Sequence, residues 1–187
     1  MSHVKFIQDV LNQSTCLYSE EQIGTALDAM AQRMHERLHD RCPVLLCVLV
    51  GGIVPMGHLL TRLNFPLEVD YIHATRYQSG LVGHELNWKA RPSRNLKGRH
   101  VVIVDDILDG GVTLAALVDA VKAMGAAQVE TAVIVDKHHV RDPQGLSHAD
   151  YVALEVDDHY VFGFGMDYQE YLRNVSGIHV VAPEHEA

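Results

Sequence analysis

Residues Val101 to Leu114, VVIVDDILDGGVTL, join four β-branched residues to two adjacent carboxylates, a third acid, two glycines and a threonine, then enter an apolar periodic stretch. A continuous apolar run of this kind reads as a strand buried on both faces, and Gly110 and Gly111 free the backbone just ahead of a helix. The order is strand, acidic corner, anion-sized loop, helix. Backbone N–H groups of such a loop, with the positive end of the following helix, form a phosphate site. Acids beside that site bind hydroxyls or a divalent cation.

The flanking sequence repeats the alternation. Ser19 and Gln22 have capping-box spacing, and Ile23, Leu27, Met30, Met34 and Leu38 recur at helical spacing, which predicts a helix over about Glu20 to Leu38. Val44–Val50 reads as a strand ending at Gly51-Gly52, followed by a short helix toward Leu63 and a strand near Leu67–His73. Leu114, Leu117, Val118 and Val121 form a helical stripe that stops at Gly125, and Val129–Val135 supplies the next strand. Between Thr75 and Arg94 the rhythm breaks, which predicts a loop or hairpin. The expected fold is α/β, a mainly parallel twisted sheet flanked by helices.

The 187 residues suit one domain, 1–187, able to bury a core without disulfide or metal support. A net charge of −9 opposes broad attraction to nucleic acid or anionic membrane, so an anionic ligand must be met locally. Cys16, Cys42 and Cys47 lack CxxC spacing, and the start MSHVKFIQDVLNQ is an amphipathic helix pattern rather than a signal peptide, so a reducing, cytoplasmic setting is expected. Thirteen histidines, among them His138-His139, show no metal-ligand spacing and read as surface residues.

The acidic segment resembles the 5-phosphoribosyl-1-pyrophosphate (PRPP) motif of the type I phosphoribosyltransferases, and the chain is most similar to their hypoxanthine-guanine branch. Separate matches occur in the expected order: Leu49–Gly52, Arg76-Tyr77, Val101–Thr113, Lys137 and Tyr160–Arg173. The resemblance implies a core over about 40–150 and a small hood from about 1–20 and 151–187. It implies that Asp105 and Asp106 bind the ribose hydroxyls, that Asp109 exchanges a proton at purine N7, and that Gly110, Gly111, Val112 and Thr113 cradle the 5′-phosphate. Val50, Gly51 and Arg173 would bind pyrophosphate, and Arg76 and Tyr77 would open a lid. Lys137, Tyr160, Val161 and Asp167 would bind the purine. Magnesium would be held mainly by PRPP oxygens, with Asp105, Asp106 and Asp167 near it.

Each assignment has a plainer alternative. Two carboxylates about 5 Å apart at an effective dielectric near 20 repel by roughly 3 kcal/mol, so Asp105 and Asp106 need a hydroxyl pair, a cation or open solvent. Neighbouring strand residues face opposite ways, so the two need not form one chelate. Asp109 could simply cap the helix, and Lys137 could be a surface lysine. Phe162 and Phe164 alternate with Tyr160 as a strand face, which core packing explains as well as ligand contact does. The chain also departs from the commoner Thr-Gly-Lys-Thr loop, since Gly110 lacks a hydroxyl and Val112 a cation. It lacks the basic residue many relatives carry at Val50, and Arg76 stands where Ser is commoner.

The resemblance implies a magnesium-dependent transfer of the phosphoribosyl group from PRPP to hypoxanthine or guanine, giving IMP or GMP and pyrophosphate, by a homodimer or homotetramer. A phosphoribosyltransferase-fold regulator that binds RNA is the rival reading, and the acidic balance counts against it. A signalling receiver domain is set aside, because it carries its acid pair near the domain start.

Overall fold

Alternate residues of one strand explain the architecture. In the computed structural model, which describes residues 2–76 and 86–186, the elements in chain order are α1 (His3–Gln13), β1 (Thr15–Tyr18), α2 (Glu20–Leu38), β2 (Val44–Val48), α3 (Ile53–Leu60), β3 (Glu68–Arg76), β4 (Leu86–Ala90), β5 (His100–Leu108), α4 (Val112–Ala123), β6 (Gln128–His138), β7 (Tyr151–Asp157), β8 (Val161–Phe162) and β9 (Ile178–Val180). Val102 and Val104 of β5 pack with Ile23, Leu27 and Met30 of α2, while Val101 and Ile103 pack with Leu114, Leu117 and Val121 of α4 on the opposite face. Two apolar faces require the unbroken apolar run seen in the sequence.

The large sheet has six strands in the order β4-β3-β2-β5-β6-β7, with β5 inside it. Every pairing is parallel except β3 with β4, an antiparallel edge pair. Those two strands are the arms of the expected hairpin, and Tyr77 lies outside the described residues. A second sheet, β1-β9-β8, is antiparallel. Its Phe162 and Val181 beside it pack with Ile7 and Val10 of α1, together with Tyr168.

The helix expected over Glu20–Leu38 has those bounds, because Ser19 Oγ accepts from the Gln22 N–H while Gln22 Oε1 accepts from the Ser19 N–H. Three elements differ from expectation. The strand drawn to Val50 ends at Val48, where a cis Leu49–Val50 peptide leads into the glycine turn. The strand after Arg99 runs on to Leu108, because its pairing with β6 continues through Leu108 and Asp136. Residues 151–157, drawn with the hood, form β7 at the edge of the large sheet, since Tyr151 through Asp157 pair with Ala132 through His138. Among the described residues no helix is long and apolar enough to cross a membrane.

Removing the cap that fixes α2 is expected to cost about 1 kcal/mol. Ser19→Ala should lower the urea midpoint accordingly without changing the slope.

Candidate active site

The carboxyl end of β5 opens because its two neighbours stop at different heights. β2 pairs with β5 only as far as Cys47 and Val104, whereas β6 accompanies it to Leu108. Beyond Val104, β5 thus borders a cavity of about 760 Å³. The cavity is lined by Val50 and Gly51, by every residue from Asp105 to Leu114, by Lys137, and by Tyr160, Val161, Asp167 and Arg173. Ligands of open parallel sheets bind at this edge.

Asp106 is buried and Asp105 half-buried. Asp105 Oδ1 accepts from the Asp106 N–H at 3.0 Å, and Asp106 Oδ1 from the Ile107 N–H at 2.8 Å. Among the described residues the cation paired with Asp106 is Arg173, whose Nη1 is 3.7 Å from Oδ2. Burial, and for Asp105 next the charge of Asp106, raises both carboxyls above the ordinary value of 3.8. Burial and the same two charges push the Cys47 thiol up to about 12, so it stays neutral beside them. Gly51 is required by the pair: a Cβ there would stand 2.1 Å from Asp106 Oδ2.

Gly111 forms the N-cap of α4 at φ +76° with no side-chain cap, leaving the first N–H groups of the helix for a ligand. A Cβ on Gly111 would meet Leu146 backbone atoms at 2.6 and 2.7 Å, and the Leu146 N–H donates to its carbonyl. Gly110 has open space around a Cβ, so the hydroxyl residue commoner in similar loops would fit. Asp109 does not cap the helix. Its carboxylate instead stands between Lys137 Nζ, 3.8 Å from Oδ2, and His139 Nε2, 2.6 Å from Oδ1.

Lys137 is not a solvated surface lysine. It lies within β6 with its side chain 14% exposed, and its Nζ is 3.0 Å from Asp158 Oδ1, an ion pair that holds the Asp158 carboxyl below its ordinary value.

Residues 14–171 match the phosphoribosyl transferase domain family. The chain belongs to that family. It is 32% identical over 172 residues to the hypoxanthine-guanine phosphoribosyltransferase of Streptococcus thermophilus, covering 90% of this chain and 93% of the relative. The hypoxanthine-guanine-xanthine phosphoribosyltransferase of Tritrichomonas foetus is 29% identical over 165 residues, 88% of this chain and 90% of the relative. A solved structure of the hypoxanthine phosphoribosyl transferase of Trypanosoma cruzi superposes with a TM-score of 0.83 at 28% identity, covering 91% of this chain and 92% of the other.

In this phosphoribosyltransferase chain the segment after β7 lines the cavity with Tyr160, Val161, Asp167 and Arg173. Tyr160 is 41% exposed, its ring available to a flat ligand, and burial together with the Asp167 charge raises its hydroxyl above the ordinary value. Phe162 and Phe164 are fully buried in separate apolar clusters, so core packing accounts for both. Arg173 donates from Nη1 to the Gly165 carbonyl at 2.8 Å, and its Nη2 lies 2.6 Å from Asp167 Oδ1, so contacts within its own segment hold the guanidinium that reaches Asp106. Arg76 ends β3 and does not line the cavity. Sequence reasoning missed Asp142 and His159, which line the cavity, and Asp158 and His139, which partner Lys137 and Asp109. The one available signal was the closeness of His139 to Lys137 at a strand end.

A raised carboxyl binds protons more tightly in the folded chain. Its contribution is therefore fully present below about 3.8, the ordinary value, and lost as pH rises through the folded value. Asp105→Asn should stabilise the ligand-free protein at pH 8 by up to about 3 kcal/mol, the repulsion of a close carboxylate pair. Little should change at pH 3.5. Thermal unfolding at both pH values checks the sign.

Proposed function

We propose that this chain transfers the 5-phosphoribosyl group of PRPP to a 6-oxopurine, hypoxanthine or guanine, releasing pyrophosphate and IMP or GMP. The observation that carries the reading is one cavity that combines an adjacent acid pair, an uncapped helix N-terminus behind a glycine loop, a lysine and an exposed tyrosine ring. The names of the relatives support the same chemistry.

The backbone of Gly110 to Thr113 holds the 5′-phosphate, with the α4 dipole compensating for the cation absent at Val112. Asp105 and Asp106 accept from the two ribose hydroxyls, which relieves their mutual repulsion. Val50 and Gly51 offer backbone groups to pyrophosphate, and Arg173 meets its charge. The purine stacks on Tyr160, a contact worth roughly 1 to 3 kcal/mol, while the Val161 backbone and Asp167 border it. Lys137 is donor-only, so its remaining hydrogen serves the 6-oxo acceptor of hypoxanthine or guanine and would face the donor amino group of adenine.

In the reaction the bond from C1 of the ribose to pyrophosphate breaks, its electron pair leaving with pyrophosphate, and N9 of the base bonds to C1. The N7–H bond breaks and its proton passes to Asp109. The protein lowers the barrier chiefly by positioning and by placing carboxylates near the positive charge that develops on the ribose. Arg76 and Tyr77 are assigned to the lid that excludes water.

Among the described residues no group of three or more His, Cys, Asp or Glu side chains stands ready to hold a metal. An acid pair with unsatisfied charge suits a cation that brings most of its ligands as PRPP oxygens, so Mg²⁺ would sit near Asp105, Asp106 and Asp167. When bound, it neutralises the departing pyrophosphate. The assembly is assigned as a homodimer or homotetramer in the cytoplasm, with no nucleic-acid or membrane partner. The RNA-binding reading has no observation in its favour.

Incubation with PRPP, Mg²⁺ and each nucleobase in turn should yield IMP or GMP and no AMP; absence of nucleotide from any oxopurine would refute the reading. Asp109→Asn should reduce kcat by about 10² to 10⁴ while calorimetry shows PRPP binding largely intact.

A further inference from the structure

We propose that Gly145 is a positioning residue for the 5′-phosphate: the turn 142–146, seated backbone to backbone behind Gly110 and Gly111, fixes the loop whose N–H groups receive that phosphate. The proposal rests on the PRPP reading above and deepens it by naming the segment outside the loop that sets its affinity.

The loop does not hold its own shape. Gly110 and Gly111 are adjacent, and glycine loses more conformational freedom on ordering than any other residue. Gly111 stands at φ +76° with no side-chain cap beside it. With Gly110 in place of a hydroxyl residue and Val112 in place of a cation, the phosphate is left to backbone N–H groups and the α4 dipole. Such donors serve an anion best when they are held in place beforehand.

The turn supplies that hold. The Leu146 N–H donates to the Gly111 carbonyl at 3.0 Å. A Cβ on Gly145 would lie 2.1 Å from the Gly110 carbonyl oxygen and 3.1 Å from the Gly111 carbonyl carbon. Both are backbone atoms, so a side chain at 145 enters only if the loop or the turn moves. Gly145 is outside the left-handed region, so space rather than backbone conformation reserves the position for glycine.

The turn is the firmer of the two. The Gly145 N–H donates to the Asp142 carbonyl and the Gln144 N–H to Asp142 Oδ1, each at 2.8 Å. Before it, Arg141 pairs with Asp136 and donates to the Lys137 carbonyl at 3.3 Å, which fastens the turn to β6. At its end the Leu146 side chain packs against the apolar cluster that holds Leu114 and Leu117 of α4. Anchored at both ends, the turn yields less than the double glycine does, and a methyl group at 145 displaces the phosphate loop.

Steady-state kinetics with PRPP and the oxopurine that wild type uses, and calorimetry with the product nucleotide, IMP or GMP, test this. Gly145→Ala should raise the PRPP KM and the nucleotide Kd by about tenfold, the worth of one hydrogen bond to a charged group. The oxopurine KM at saturating PRPP should stay within about twofold and kcat within about threefold. A role in stability alone would lower Tm and leave the PRPP and nucleotide constants where they are. Unchanged constants in folded Gly145→Ala, or an equal rise in the oxopurine KM, would overturn the proposal. Circular dichroism reports folding, and where Gly145→Ala does not fold, a milder pair decides. Asp142→Asn keeps an Oδ1 acceptor for the Gln144 N–H and Asp142→Ala removes it, while both take the same charge from the cavity. The PRPP KM of Asp142→Ala should exceed that of Asp142→Asn by about fivefold, and equal values would also overturn the proposal. Wild-type protein that binds neither PRPP nor nucleotide would instead overturn the reading on which it rests.

Discussion

Two carboxylates sit side by side at the end of a strand whose inner neighbour has already turned away, and much of the site is arranged around that cost. The other buried acids of the same sheet, Glu130 and Asp70, are well partnered. Buried Glu130 meets Arg37 Nη2 at 2.5 Å, His100 Nε2 at 2.9 Å and Tyr151 OH at 3.1 Å. Asp70 accepts from the N–H groups of Tyr71, Ser93 and Arg94. Among the described residues, Asp105 and Asp106 accept hydrogen bonds from adjacent backbone N–H groups alone, with an arginine 3.7 Å from Asp106. A fold that satisfies its structural acids but leaves this pair wanting has reserved them for something that arrives from outside. Stability is lowered at the place where the ligand restores it.

The surrounding parts follow from that pair. Gly51 is bare because Asp106 occupies the space of its side chain, and Gly111 is bare because the Leu146 backbone does. Those close approaches bring the turn after β2 against the end of β5 and the segment after β6 against the loop that follows it. Arg173, held by Asp167 and Gly165 of its own segment, reaches Asp106. Lys137, Asp158 and Asp109 form a second charged group, assigned to the base rather than to the sugar.

The central strand, α2 and α4 were legible because their signals are local: an apolar run buried on two faces, a capping box, a glycine stop. The extension of β5 through Asp105 and Asp106 was not, because partner β6 determines it and the acids themselves disfavour a strand. The same holds for Tyr151–Asp157, whose place in the large sheet depends on pairing with residues far back along the chain. Within the site, the acid pair, the glycine loop and Lys137 were visible because they adjoin apolar strands in sequence. His139 and Asp158 were hidden among ordinary polar residues, and only the folding of three segments onto one corner brings them to Asp109 and Lys137. Phe162 and Phe164 carried an ambiguity that burial alone resolves.

The most direct measurement is a crystal structure of the protein with PRPP and Mg²⁺. The account predicts the 5′-phosphate within hydrogen-bonding distance of the backbone N–H groups of 110–113 and the ribose hydroxyls on the carboxylates of Asp105 and Asp106. A sugar phosphate bound away from that corner, with the acid pair untouched, would contradict it.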